Sequence, residues 1–128
     1  MNHLQSLVLA ITLLVGSVSV ATAQDFNKGL EAAQSGDYQT ALREWRPLAE
    51  QGVAIAQFNL GVMYQFGDGV LQSNVIAHMW YSIASDNGHP RSGERRDGLA
   101  GQMTSADIST AQQMARECMS SNYQNCGW

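Results

Sequence analysis

Residues 41–52, ALREWRPLAEQG, return as residues 77–88, AHMWYSIASDNG, an offset of 36 positions (77 − 41). Ala41 meets Ala77, Trp45 meets Tyr81, Leu48 meets Ala84 and Gly52 meets Gly88. Self-similarity at such a period is the mark of stacked supersecondary units. Within the first copy, Ala41, Leu42, Trp45, Leu48 and Ala49 fall on one stripe of a 3.6-residue period, which predicts an amphipathic helix. Gly52 and Gly88 stand where each helix stops, because glycine takes the left-handed C′ conformation without strain.

Between the copies, Ala54, Ile55, Phe58, Leu60, Val62, Met63 and Tyr64 predict another helix, too apolar to stand alone in water. Asp68-Gly69 breaks it, and Ser73 is placed to cap the next one. Pro90 suits the first turn of a helix ending near Gln102. Thr104 and Asp107 make a variant capping box ahead of a third stripe, Ile108, Ala111, Met114, Ala115 and Cys118. No alternation of period two stands out. The expectation is an all-α fold, a short α-solenoid of about six helices in antiparallel hairpins.

Residues 56–70, AQFNLGVMYQFGDGV, together with Ala77, Trp80, Tyr81, Ala84 and Gly88, resemble the Sel-one-like repeat, a tetratricopeptide-like repeat. The resemblance implies that Gly61 admits a neighbouring helix, that Leu60, Tyr64 and Tyr81 fill the space around it, and that Gly67 and Gly69 turn the chain. It fits one unit from about 53 to 88 closely and another from about 26 to 52 more loosely. Residues 89–128 are expected to form a degenerate C-terminal capping hairpin, since Arg95 and Arg96 stand near positions where a third unit needs apolar residues. That segment also looks like the closing segment of secreted bacterial members. The cysteine-rich subgroup, for which beta-lactamase-like activity is claimed, has a cysteine pair in every repeat. Here only Cys118 and Cys126 exist, so that activity is not carried over.

The first residues differ in kind from the rest. Every Lys, Arg, Asp and Glu of the 128-residue chain lies at or beyond Asp25, while Leu7 to Val20 is almost unbrokenly apolar. Ala21-Thr22-Ala23 supplies an A-x-A site, so residues 1–23 read as a signal peptide and 24–128 as the exported repeat domain. The rival, an uncleaved anchor, falls short of the roughly 20 apolar residues that span a bilayer. A periplasmic or secreted location follows, with no stable membrane insertion after cleavage. There Cys118 and Cys126 read as a disulfide worth roughly 2–3 kcal/mol by loop entropy; two free thiols are the alternative.

The net charge of −4 is spread without runs, which argues against nucleic acid as a partner. No serine elbow, Ser-x-x-Lys, or phosphate or dinucleotide glycine loop occurs, so the chain reads as no enzyme, with no catalytic residues and no cofactor. His78 and His89 lack further ligands at metal spacing and read as structural or surface residues, with no metal site.

The feature left is apolar. Phe58, Val62 and Phe66 recur at i, i+4 and i+8, with Ile55 and Gln65 beside them; these five residues are the candidate groove for a protein or peptide partner. Gln57 and Asn59 are further candidates, as hydrogen bonders to a bound backbone. The alternative is that the first hairpin or the cap covers the stripe. The leading expectation is an exported interaction module. A cell-envelope enzyme acting on a beta-lactam or peptidoglycan, or a structural self-associating protein, are the alternatives.

Overall fold

The computed structural model describes residues 25–128; the expected signal peptide, 1–23, lies outside them. Six helices and no strand occur among the described residues: α1 Phe26–Gln34, α2 Tyr38–Glu50, α3 Ala54–Phe66, α4 Asn74–Asp86, α5 Ser92–Ala100 and α6 Ser105–Ser120. The chain is an α-solenoid of helical hairpins. α1 pairs with α2 and α3 with α4, while α2 packs on α3 to join the two hairpins. α5 and α6 both lean on α4 more than on each other, so the last pair closes the stack as a degenerate hairpin.

Local chemistry sets the helix ends. Asp25, Asp37, Ser73 and Thr104 each accept a backbone N–H of the following turn, satisfying donors that a helix start leaves unpaired. Gly52 and Gly88 follow α2 and α4 at φ 85° and 92°, and Gly67 ends α3 at φ 71°. Thr104 Oγ1 accepts from the Asp107 amide at 3.1 Å, the first half of the capping box. α5 begins two residues beyond Pro90.

Each of the first two hairpins is closed by the same device, a ring laid on a glycine. A Cβ on Gly61 would sit 2.6 Å from the fully buried Tyr81 ring, and one on Gly29 would sit 2.4 Å from Trp45. The pairs are equivalent in the repeat. Around them Ala41, Ala49, Ala56, Leu60, Ala77, Met79, Trp80 and Ile83 are buried, so small residues admit backbones and large ones fill the gaps.

Cys118 and Cys126 form a disulfide. It folds the last residues back, and Trp128 lies against Trp80 at 4.8 Å between centroids with the Arg46 guanidinium 4.1 Å over its ring. The Nε groups of Arg46 and Trp80 are buried with no hydrogen-bond partner, which leaves the Trp128 face as the guanidinium's compensation. The tail thus joins α2, α4 and α6. No helix of the described residues is long and apolar enough to cross a membrane.

Candidate functional site

α3 is the central helix, packed against α4 and α2, with one cavity toward α1 and α2 and another toward α5 on its two flanks. Leu60, Gly61 and Tyr64 are buried on its back. Its front carries the five residues singled out from the sequence, and they do not share one environment. Ile55 and Phe66 are open, 45 % and 59 % exposed. Val62 is half-buried in a cavity of about 190 Å³ that Leu30, Ala33, Tyr38, Trp45, Asn59, Met63 and Asp68 also line, so it faces α1.

Phe58 and Gln65 face the other flank. The Phe58 ring stacks on His89 at 4.3 Å and 13°, tilts against Tyr81 at 5.6 Å, and has the Arg95 guanidinium 5.9 Å from its centroid. Gln65 Oε1 accepts from the Tyr81 hydroxyl at 2.7 Å. The same glutamine lines a cavity of about 370 Å³ with Arg91, Glu94, Arg95, Gly98, Leu99 and Gln102 of the α5 segment. The front of α3 is therefore the floor of a groove, with α1 as an apolar wall and α5 as a charged one. Part of the stripe is covered by its own chain, at Phe58, and part is open, at Ile55 and Phe66.

Gln57 has a different role from the one expected of it. It is fully buried, donates to the Ala49 carbonyl at 2.9 Å and accepts from Asn87 at 2.8 Å. It satisfies a carbonyl at the end of α2, which is left free there by helix geometry, and cannot serve a ligand. Asn87 also donates to the Tyr123 hydroxyl at 3.0 Å, tying the tail into the same network.

Electrostatics follow from burial. His89 is held below its ordinary pKa by desolvation and then by Arg91; its Nδ1 accepts the Arg91 amide at 3.4 Å and lies 2.9 Å from Ser92 Oγ. The Tyr81 phenol is pushed up by burial, with Arg95 opposing the rise. His78 is also lowered, by burial and then by Arg96, with Asp97 opposing. It borders a cavity of about 700 Å³ between α4, α5 and α6 with Ser82, Asp86, Arg96, Asp97 and Arg116. There the Ser82 hydroxyl donates to the carbonyl of His78 at 2.9 Å, while the imidazole Nδ1 is 3.5 Å away, so the pair is not built as nucleophile and base. Among the described residues no three His, Cys, Asp or Glu side chains converge as metal ligands.

Reading the sequence missed the α5 wall. Arg91, Arg95 and Gly98 are spaced i, i+4 and i+7, the signal of a helix face, but nothing local says that this face turns toward α3.

A comparison with curated proteins and one with solved structures found no match. Residues 54–89, which are α3, α4 and the turn between and after them, match the family model of the Sel1 repeat. The chain thus carries one Sel1 repeat at its centre, formed by α3, α4 and the turns that join and follow them.

Proposed function

We propose that this chain is an exported, non-enzymatic interaction module that holds a segment of a partner protein in the groove floored by α3. Sel1 repeats commonly mediate protein–protein interaction and are generally scaffolds rather than enzymes. The observation that carries the reading is the exposure of Ile55 and Phe66 at 45 % and 59 % on a helix whose other face is buried in the repeat. Burying what remains exposed of each, about half of the side chain, contributes about 1 kcal/mol apiece before the costs of association. Val62, Phe58 and Gln65 extend the same floor toward the two walls. In this reading residues 1–23 are a signal peptide, 26–52 and 53–88 are the two units, 89–128 is the cap, and the protein works in the periplasm or outside the cell. The disulfide supports an oxidising compartment.

The test is recovery of partners from cells by the tagged chain and by an Ile55→Asp/Phe66→Asp variant. The same partners should be lost from the variant and kept by Gln112→Asp, on the opposite side of the molecule. Equal recovery by all three removes the groove from the account. Export is checked by the mass of the mature chain, expected to begin at Gln24; an intact Met1 overturns it.

A further inference from the structure

The α5 wall has a charge pattern and a gap that the chain's own packing uses only in part, through the approach of Arg95 to Phe58 and Tyr81. The protein is acidic overall, with 7 Lys and Arg against 11 Asp and Glu, yet Arg91, Arg95 and Arg96 fall within six residues. Arg96 is paired with Asp97 and turns to the other side of α5, as Lys28 is paired with Glu44 elsewhere. Arg91 and Arg95, like Arg43, Arg46 and Arg116, have no ion-pair partner among the described residues; what sets them apart is that both line the groove. One carboxylate, Glu94, stands on the same wall, so the wall keeps a net positive charge.

Gly98 continues that face one turn further. A glycine inside a helix costs about 1 kcal/mol relative to alanine. Gly29 and Gly61 offset this by receiving the rings of Trp45 and Tyr81. Gly98 receives nothing: a Cβ built there meets no atom within 4 Å, and its φ is not in the left-handed region. Neither a turn nor a neighbour of its own chain requires glycine at this place, and the space in front of it is the cavity beside Gln65.

We propose that the α5 wall receives an extended acidic segment of the partner, with Arg91 and Arg95 on two of its carboxylates and Gly98 leaving room for its backbone. This rests on the groove reading above and adds the chemistry of the occupant. Side chains four apart on a helix are about 5–6 Å apart at Cβ. Alternate residues of an extended chain, at about 3.3 Å rise each, are separated by nearly the same distance. An acidic-x-acidic sequence therefore matches the two guanidinium groups in register, and guanidinium–carboxylate pairs are the strongest hydrogen-bonded pairs available to it. Apolar side chains that follow the acidic pair then reach Phe66 and Ile55 on the floor.

The experiment is fluorescence anisotropy with the full, disulfide-bonded chain and labelled peptides of about ten residues carrying Asp-x-Asp before two leucines. An Asn-x-Asn analogue is the comparison. The Asp peptide should bind about tenfold more tightly than the Asn peptide at low salt, with the preference shrinking as salt screens it. In the Arg91→Gln/Arg95→Gln variant the two peptides should bind alike, whereas Arg116→Gln keeps the preference. Gly98→Met should weaken the Asp peptide several-fold without lowering thermal stability.

Equal affinities in the wild type, a preference that survives in the double Arg variant, or no binding of either peptide would overturn the proposal. If both peptides bind alike and Ile55→Asp/Phe66→Asp abolishes both, the acidic preference falls while the groove reading stands. Concentration-dependent self-association that requires Arg95 would hand the wall to a second copy and overturn the acidic segment as its occupant.

Discussion

Replacing Gly61 with alanine puts two physical effects in opposition, and the structure decides which wins. Alanine is favoured over glycine inside a helix by about 1 kcal/mol. The new methyl would lie 2.6 Å from two carbons of the Tyr81 ring. Ordinary contact needs about 3.5–4 Å, so the ring or the helix must move by roughly 1 Å. Tyr81 has little freedom to do so: it is fully buried, leans on Phe58, and its hydroxyl is fixed to Gln65 at 2.7 Å. Overpacking of this kind costs about 1–3 kcal/mol, and the rigid ring points to the upper end. The net expectation is a loss of about 1–2 kcal/mol, or roughly 5–15 °C in Tm for a domain of this size. Gly98→Ala is the internal control. There the methyl meets nothing, so only the propensity gain remains and Tm should rise by a few degrees. Thermal unfolding followed by circular dichroism reads both. A Gly61→Ala variant as stable as the wild type would refute the ring-on-glycine account of the repeat, and a destabilised Gly98→Ala would refute the open space in front of α5.

Other perturbations follow from the same contacts. Removing the bridge with Cys118→Ala/Cys126→Ala frees a short loop whose closure entropy is worth about 2.5 kcal/mol, so denaturant midpoints should fall and tryptophan fluorescence should change as Trp128 leaves Trp80; an unchanged midpoint contradicts it. Gln57→Leu strips the Ala49 carbonyl and Asn87 of a buried partner and should cost about 1–3 kcal/mol by urea unfolding, with a loss under about 0.5 kcal/mol counting against the strut. His78 and His89 both hold protons less tightly in the folded chain than their ordinary value of 6.5. The unfolded chain therefore takes up more protons as pH falls through that value, so this contribution to stability is complete above it and lost below. Urea midpoints should drop between pH 7.5 and pH 5, and His89→Gln should flatten part of that drop. Phe66→Ser, at a residue 59 % exposed, should leave Tm within a degree or two while weakening partner recovery.

The helices were legible because their signals are local. The stripe of Ala41, Trp45 and Ala49 needs only the period of a helix, and Ser73 and Thr104 announce helix starts by chemistry that acts within one turn. The equivalence of Gly29 and Gly61 was hidden by the longer turn of the second unit: the second helices of the hairpins repeat at 36 positions, but the two glycines are 32 apart (61 − 29). That turn is itself built in, since Gly69 packs on Tyr38 and its carbonyl accepts from Gln39 at 3.1 Å. Gln57 read as a surface hydrogen bonder because a polar residue beside an apolar stripe looks the same whether it meets solvent or a neighbouring helix end. The site was half legible for a similar reason. Phe58, Val62 and Phe66 declare one face, but which part of it stays open depends on where α1 and α5 stand. Arg95 and Arg96 were noticed only as departures from an apolar pattern. Their opposite directions, one into the groove and one onto Asp97, arise from the seating of α5 on α4.

The central claim is that partners meet this molecule on the front of α3. A photo-crosslinking amino acid placed singly at Ile55, Phe66 and Gln102, and at Gln112, Arg116 and Asp86 across the molecule, tests it in the cell where the protein works. The account predicts partner adducts from the first three positions and none from the second three. Adducts of equal yield from both sets, or from Gln112, Arg116 and Asp86 alone, would contradict it.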